Sequence, residues 1–147
     1  AFYEFSFDLE SSSPEKILMP IKAIFEENEI LQHNHFKKVF VNPIIEEEEG
    51  KEWPFQEGCL SIPKIRENVS RKPDIVVSYY DENWVLHEEK FSGYAARIIQ
   101  HEYDHIEGVL FTDYLSPLKR KLLKKKLNNI TNGLIEIEYK ISFPKNS

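Results

Sequence analysis

The chain has 147 residues, 41% of them hydrophobic and 13% aromatic, enough to bury a core and too apolar for disorder. No apolar run approaches the ~20 residues of a membrane span, and no signal-peptide pattern is visible. One cysteine cannot form an internal disulfide and suits a reducing compartment, so a cytoplasmic protein is expected. Neither a membrane nor DNA is expected as a partner.

In chain order, "FYEFSF" alternates as a strand does, and "PEKILMPIKAIFEENEILQ" reads as a loop with short elements, helix-like around Pro20. "KKVFVNPII" reads as a strand in which Pro43 marks an edge or a bulge. Glu46 to Glu49 reads as a solvated turn ending at Gly50. "DIVVSYY" and "WVLHEEKF", separated by "DEN", read as a hairpin whose His87 is a paired surface residue. A helix is predicted from a cap at Ser92 to a stop at Gly108, with Ala95, Ile98 and Ile99 helping to bury it. "SPLKRKLLKKKLNNITNG" is a second helix, with Ser116 at the N-cap, Pro117 in the first turn and Gly133 at the end. Leu118, Leu122, Leu123, Leu127 and Ile130 give it an apolar stripe to dock, and "LIEIEYKI" follows as a late strand.

The chemistry concentrates in "QHEYDHIEG", residues 100–108. On a helix, His101 and His105 share one face, with Cβ atoms about 5–6 Å apart, so both imidazoles can reach one ion. Glu102 lies about 100° further round, near a metal-bound water but off the ligand positions. This is the H-E-x-x-H arrangement of metallohydrolases. Chance yields that spacing in roughly two chains per hundred of this composition, so a metal site is the expected reading.

A catalytic centre usually takes three protein donors and a water. Phe111 stands where the extended protease pattern would place a third histidine, Glu107 is too close on the same helix, and Glu136 and Glu138 follow a second helix. Cys59 in "QEGCLSIP" is the better candidate, because a thiolate binds Zn²⁺ or Fe²⁺ strongly and Gly58 beside it lets backbone approach a ligand.

"EGCLSIP", followed forty-odd residues later by "QHEYDHIEG", resembles the second and third signatures of the peptide deformylase family. "FVNPII" before them and "GVLFTDYLSPLKR" after them resemble the family too, so the likeness covers roughly residues 38 to 130. It implies a metal-dependent hydrolase that removes the N-formyl group from the N-terminal formylmethionine of nascent polypeptides, releasing formate. Cys59, His101 and His105 match the metal ligands, Glu102 the general base, and the Leu60 N–H an oxyanion donor. Arg71 matches an arginine paired with Asp104, while Tyr94 and Ile98 match positions lining the methionine pocket. Fe²⁺ is the first expectation for the metal, with Zn²⁺, Ni²⁺ or Co²⁺ as alternatives. The implied fold is α+β: antiparallel strands around a central metal-binding helix, then a basic C-terminal helix and the late strand, in a single domain over residues 1–147.

One departure stands out. The family's first signature, a glycine-rich G-x-G-x-A-A-x-Q segment, has no counterpart: residues 1–37 hold no glycine, and Gln32 lacks that context. With no methionine opening "AFYEFSF", the expectation is a piece lacking the N-terminal part of the family domain, or else a degenerate relative. A zinc endopeptidase with an unidentified third ligand and a catalytically impaired binding remnant are the alternative readings. Residues 116–132 carry six Lys or Arg and no acid, +6 in a chain of −6, which leaves −12 on the rest. A basic helix face on an acidic domain is often only a solubilising surface. The other expectation is ribosome contact through this helix, since polyanionic RNA attracts a basic face.

Overall fold

The structure, a computed structural model, describes residues 2–4, 20–24, 37–137 and 139, with side chains for 38–137 and 139. The strands are β1 (Phe2–Glu4), β2 (Pro20–Ile24), β3 (Lys37–Val39), β4 (Val41–Glu49), β5 (Trp53–Cys59), β6 (Ile62–Arg71), β7 (Asp74–Tyr80) and β8 (Leu86–Ser92). The helices are α1 (Gly93–Ile106), a 3-10 turn (Phe111–Tyr114) and α2 (Pro117–Thr131). They form two compact units, Ala1–Trp53 with Arg71–Val109 and Pro54–Ser70 with Leu110–Ser147. Among the described residues no helix is long and apolar enough to cross a membrane.

In the first unit, β1, β2 and β3 form one antiparallel sheet, and β4, β7 and β8 form another in that order. β2 begins at Pro20, so the short element there is a strand and not the helix-like turn expected, its residues held extended by pairing to β1 and β3. The remainder of that stretch lies outside the described residues. β7 alternates cleanly: Ile75, Val77 and Tyr79 are buried and pack with Phe40, Phe91, Ala96, Ile98 and Ile99. α1 therefore rests on β7 through the apolar face its sequence predicts. β4 is an edge strand with a register shift between Val41 and Ile44, where Asn42 takes φ 49° and Pro43 withholds a donor, so both features expected of Pro43 occur.

The acidic run is a correction. Glu46–Glu49 is not a turn but the exposed end of β4, with Glu47, Glu48 and Glu49 opposite Val76, Ile75 and Asp74. Ladder pairing to β7 holds the run extended, and Ser78 and Lys90 answer the charges of Glu46 and Glu49. The chain turns only at Gly50, whose φ is 86° and where a Cβ would come within 2.5 Å of Pro73. The β7–β8 hairpin is as expected, though Trp84 and Val85 belong to its turn rather than its strand. Trp84 has φ 60°, and Asp81 Oδ1 accepts from the N–H of Asn83 and of Val85.

His87 is paired as expected, within hydrogen-bond reach of Asp81 at 2.9 Å and stacked on Tyr79. Lys38 and Tyr79 both donate to Glu89. Partial burial alone would raise the Glu89 carboxyl, but those two hydrogen bonds hold it below its ordinary range. These side chains line a cavity of about 370 Å³ and answer one another's charge.

In the second unit, β5 and β6 form a two-stranded sheet joined by Leu60–Ser61. A link that short permits only an antiparallel pair. Ile62, Ile65, Val69, Phe111 and Ile130 form the core, with Cys59, Leu123, Leu127 and Ile135 packed against it. α2 begins as predicted: Ser116 Oγ accepts from the Lys119 N–H and Pro117 opens the helix.

Its apolar stripe is narrower than expected, because Leu118 and Leu122 are 68% and 72% exposed. At about 100° per residue, Leu123, Leu127 and Ile130 share an arc of about 60°, and Leu118 and Leu122 fall outside it. The late strand is a second correction. Residues 134–137 form no strand, because the chain after Gly133 closes the helix instead. Gly133 N–H donates to Ile130 O and Leu134 N–H to Asn129 O, a Schellman motif, and Ile135 then packs into the core. Apart from Tyr139, the rest of "LIEIEYKI" lies outside the described residues.

Candidate metal centre

α1 carries the motif, and its ends fix where the motif falls. Ser92 is the N-cap residue, in extended conformation but without a side-chain capping bond. At the other end Gly108, with φ 75°, lets its own N–H reach His105 O and the Val109 N–H reach Asp104 O. The helix thus stops two residues after Asp104, its last buried polar residue.

That buried polar run is unusual for an amphipathic helix. Gln100, His101, Glu102 and Asp104 are all buried, Glu102 at 1% exposure. Buried polar groups need partners. Gln100 donates to Lys72 O and Ala96 O. Arg71 Nη1 donates to Asp104 Oδ2 at 2.8 Å, and the two side chains are only 3% and 13% exposed. Either charge alone at that depth would be costly, so each holds the other in place. The pairing of Arg71 with Asp104 is therefore present, inside the unit that carries α1.

His101 and His105 approach edge to face, ring centroids 5.0 Å apart and planes at 87°. Ahead of them, Arg97 donates to Trp53 O and lies over the Trp53 ring at 4.3 Å, while Tyr94 meets that ring edge-on. Tyr94 is half-buried, whereas Ile98 sits deep in the core beside Ile99.

Cys59 ends β5 as a half-buried thiol that is in no disulfide. Its Sγ lies 3.0 Å from Ser61 Oγ, so the hydroxyl can donate to a thiolate. Tyr139 donates from its hydroxyl to Leu60 O at 2.7 Å. Partial burial, and after it the charge of Cys59, raise the Tyr139 hydroxyl above its ordinary pKa, which keeps it a donor. Gly58 has a packing reason of its own, since a Cβ there would stand 3.2 Å from Arg66 Cγ and 3.4 Å from Ile65 O.

The ligand atoms of Cys59, His101 and His105 all lie within 4.8 Å of one another. Bonds of about 2.3 Å to sulfur and 2.0–2.1 Å to nitrogen put donors on one tetrahedral ion about 3.3–3.6 Å apart. A thiolate with two imidazoles fits one divalent transition-metal ion and leaves room for a further ligand. Among the described residues this is the one group of three or more such donors, so neither Glu107 nor Glu136 is the third. Glu138 lies outside the described residues. Phe111, at the position the protease pattern reserves for histidine, is a core residue of the second unit.

Sequence reasoning passed over Ser61, Arg97 and Tyr139. Ser61 was within reach, being two residues from the cysteine. Tyr139 gave no local signal.

A family model described as polypeptide deformylase matches residues 17–121. The peptide deformylase of Christiangramia forsetii is 56% identical over 137 residues, covering 89% of this chain and 70% of its own length. That of Cytophaga hutchinsonii is 50% identical over 122 residues, covering 83% of this chain and 65% of its own. Among solved structures, a plant peptide deformylase matches with a TM-score of 0.68 at 33% identity, over 80% of this chain and 61% of that one. A peptide deformylase from Plasmodium falciparum in complex with an inhibitor matches with a TM-score of 0.60 at 38% identity, over 65% of this chain and 62% of that one.

Proposed function

Because the chain belongs to the polypeptide deformylase family, we propose that it hydrolyses the N-formyl group of N-formylmethionyl peptides, releasing formate. The observation that carries this is the meeting of Cys59, His101 and His105, with the carboxylate of Glu102 next in sequence on α1. Those three residues would hold one divalent ion, Fe²⁺ first, with Zn²⁺, Ni²⁺ or Co²⁺ accepted by the same donors. When bound, the ion supplies Lewis acidity and lowers the pKa of water from 15.7 to about 7.

The chain's own groups do the rest. Glu102 takes a proton from the attacking water and returns it to the departing methionine amine. The Leu60 N–H donates to the oxyanion that develops from the formyl oxygen. Gly58 backbone runs along the substrate, and Tyr94 and Ile98 shape the wall against its methionine side chain. Arg71 and Asp104 hold α1 in the orientation this needs. The reading takes residues 1–147 as part of one deformylase-like domain working in the cytoplasm.

The test is formate release from a formyl-methionyl peptide by chain purified anaerobically and loaded with Fe²⁺. Formate at one equivalent per substrate consumed is expected. Cleavage of an internal peptide bond instead would favour an endopeptidase, and no reaction would favour an impaired remnant.

α2 gives the reading a place of work. Lys124, Lys125 and Lys126 are exposed, and so are Leu118 and Leu122, a basic surface with apolar contacts to offer. A ribosomal RNA surface near emerging chains suits it, through salt-sensitive phosphate contacts. Wild type is expected to pellet with ribosomes at low salt and to be released at moderate salt. A variant with Lys124, Lys125 and Lys126 changed to Glu should stay in the supernatant, and equal behaviour of the two forms would leave α2 a structural brace.

A further inference from the structure

The link between β5 and β6 is two residues long, Leu60 and Ser61, and its geometry is not the one such links favour. Two-residue hairpin turns prefer conformations with a positive φ at one or both central positions. Neither Leu60 nor Ser61 has one. Turns with negative φ at both positions twist against their strands, and they depend on how the central peptide is held. The carbonyl of that central peptide is Leu60 O, and it accepts a hydrogen bond from Tyr139, a residue 79 positions away in sequence. On the other side of the turn, Ser61 Oγ meets Cys59 Sγ.

We propose that Tyr139 is a positioning residue for the reaction, locking the central peptide of the β5–β6 turn and with it the aim of the Leu60 N–H and the Cys59 sulfur. The Leu60–Ser61 peptide joins the Cys59–Leu60 peptide at the Leu60 Cα, and that second peptide carries the Leu60 N–H. A turn held at Leu60 O therefore has less room to rock at its N–H. Oxyanion donors act over a few tenths of an ångström, so a rocking turn weakens stabilisation of the transition state while leaving ground-state binding intact. This rests on the proposed role of Leu60 in deformylation. Its structural half, that Tyr139 holds the turn, does not.

Tyr139→Phe removes the donor and keeps the ring. In zinc-loaded wild type, the Leu60 and Ser61 amide signals should be sharp by ¹⁵N relaxation dispersion. In Tyr139→Phe they should shift and show exchange broadening, with metal content and melting temperature unchanged. In the iron-loaded enzyme, kcat should fall about tenfold with KM within about twofold, less than the 10²–10³-fold loss from deleting a donor outright. Unchanged amide signals in the variant overturn the proposal, and so does an unchanged kcat once the amides have loosened. A wild-type chain that releases no formate overturns the deformylase reading instead, and the amide signals still decide whether Tyr139 holds the turn.

Discussion

Glu102→Gln is expected to keep one metal ion per chain and to lose turnover by roughly 10²–10⁴-fold, the usual worth of a positioned general base. The amide matches the carboxylate in size and hydrogen-bonding reach but cannot accept a proton at working pH. Glu102 is almost fully buried on α1, and its carboxylate is not among the three clustered donors. Removing it should therefore cost proton transfer and not coordination. Elemental analysis after desalting, beside single-turnover formate release, separates the two. Loss of metal would make Glu102 a ligand, and retained turnover would place the base elsewhere.

What the sequence made legible was local. α1 could be bounded because Gly108 and the 3.6-residue period mark its end and its face, and the two histidines follow from that frame. The β7–β8 hairpin was legible because Ile75, Val77 and Tyr79 alternate against a polar turn.

The β5–β6 hairpin was missed, since "LS" carries none of the Asn-Gly or Asp-Gly signals of a tight turn and β6 interleaves Lys64, Arg66 and Glu67 with its buried positions. The acidic end of β4 and the unpaired chain after α2 were misread for one reason. Strand formation is decided by a neighbour, β7 in the first case and none among the described residues in the second. Leu118 and Leu122 misled because five leucines or isoleucines on one helix do not make one face. The Arg71–Asp104 pair was read through family resemblance, not from the residues, because a contact across 33 positions leaves no periodic trace. The Tyr139 contact spans 79 and resemblance did not supply it.

Cys59→Ala decides whether the centre is what the donor set implies. With the thiolate gone, His101 and His105 remain, and two imidazoles rarely hold a catalytic ion unaided. Losing a partner that merely supports a ligand weakens metal binding about 10–100-fold, so losing a ligand should exceed about 100-fold. The fold should survive, because Cys59 is half-buried at the edge of the second unit's core and alanine gives up only one sulfur atom. Stability gained on adding metal reports the loss directly. At a metal concentration of 100 Kd the wild type gains about 2.7 kcal/mol, and a hundredfold weaker site gains only about 0.4 kcal/mol. Melting curves with and without zinc, beside chelator competition, read both effects. Stoichiometric metal and an undiminished shift in Cys59→Ala would mean a third donor outside the described residues, and the endopeptidase reading would return. A lost shift in Cys59→Ala alongside a kept one in Glu102→Gln would give ligand and base their separate roles by measurement.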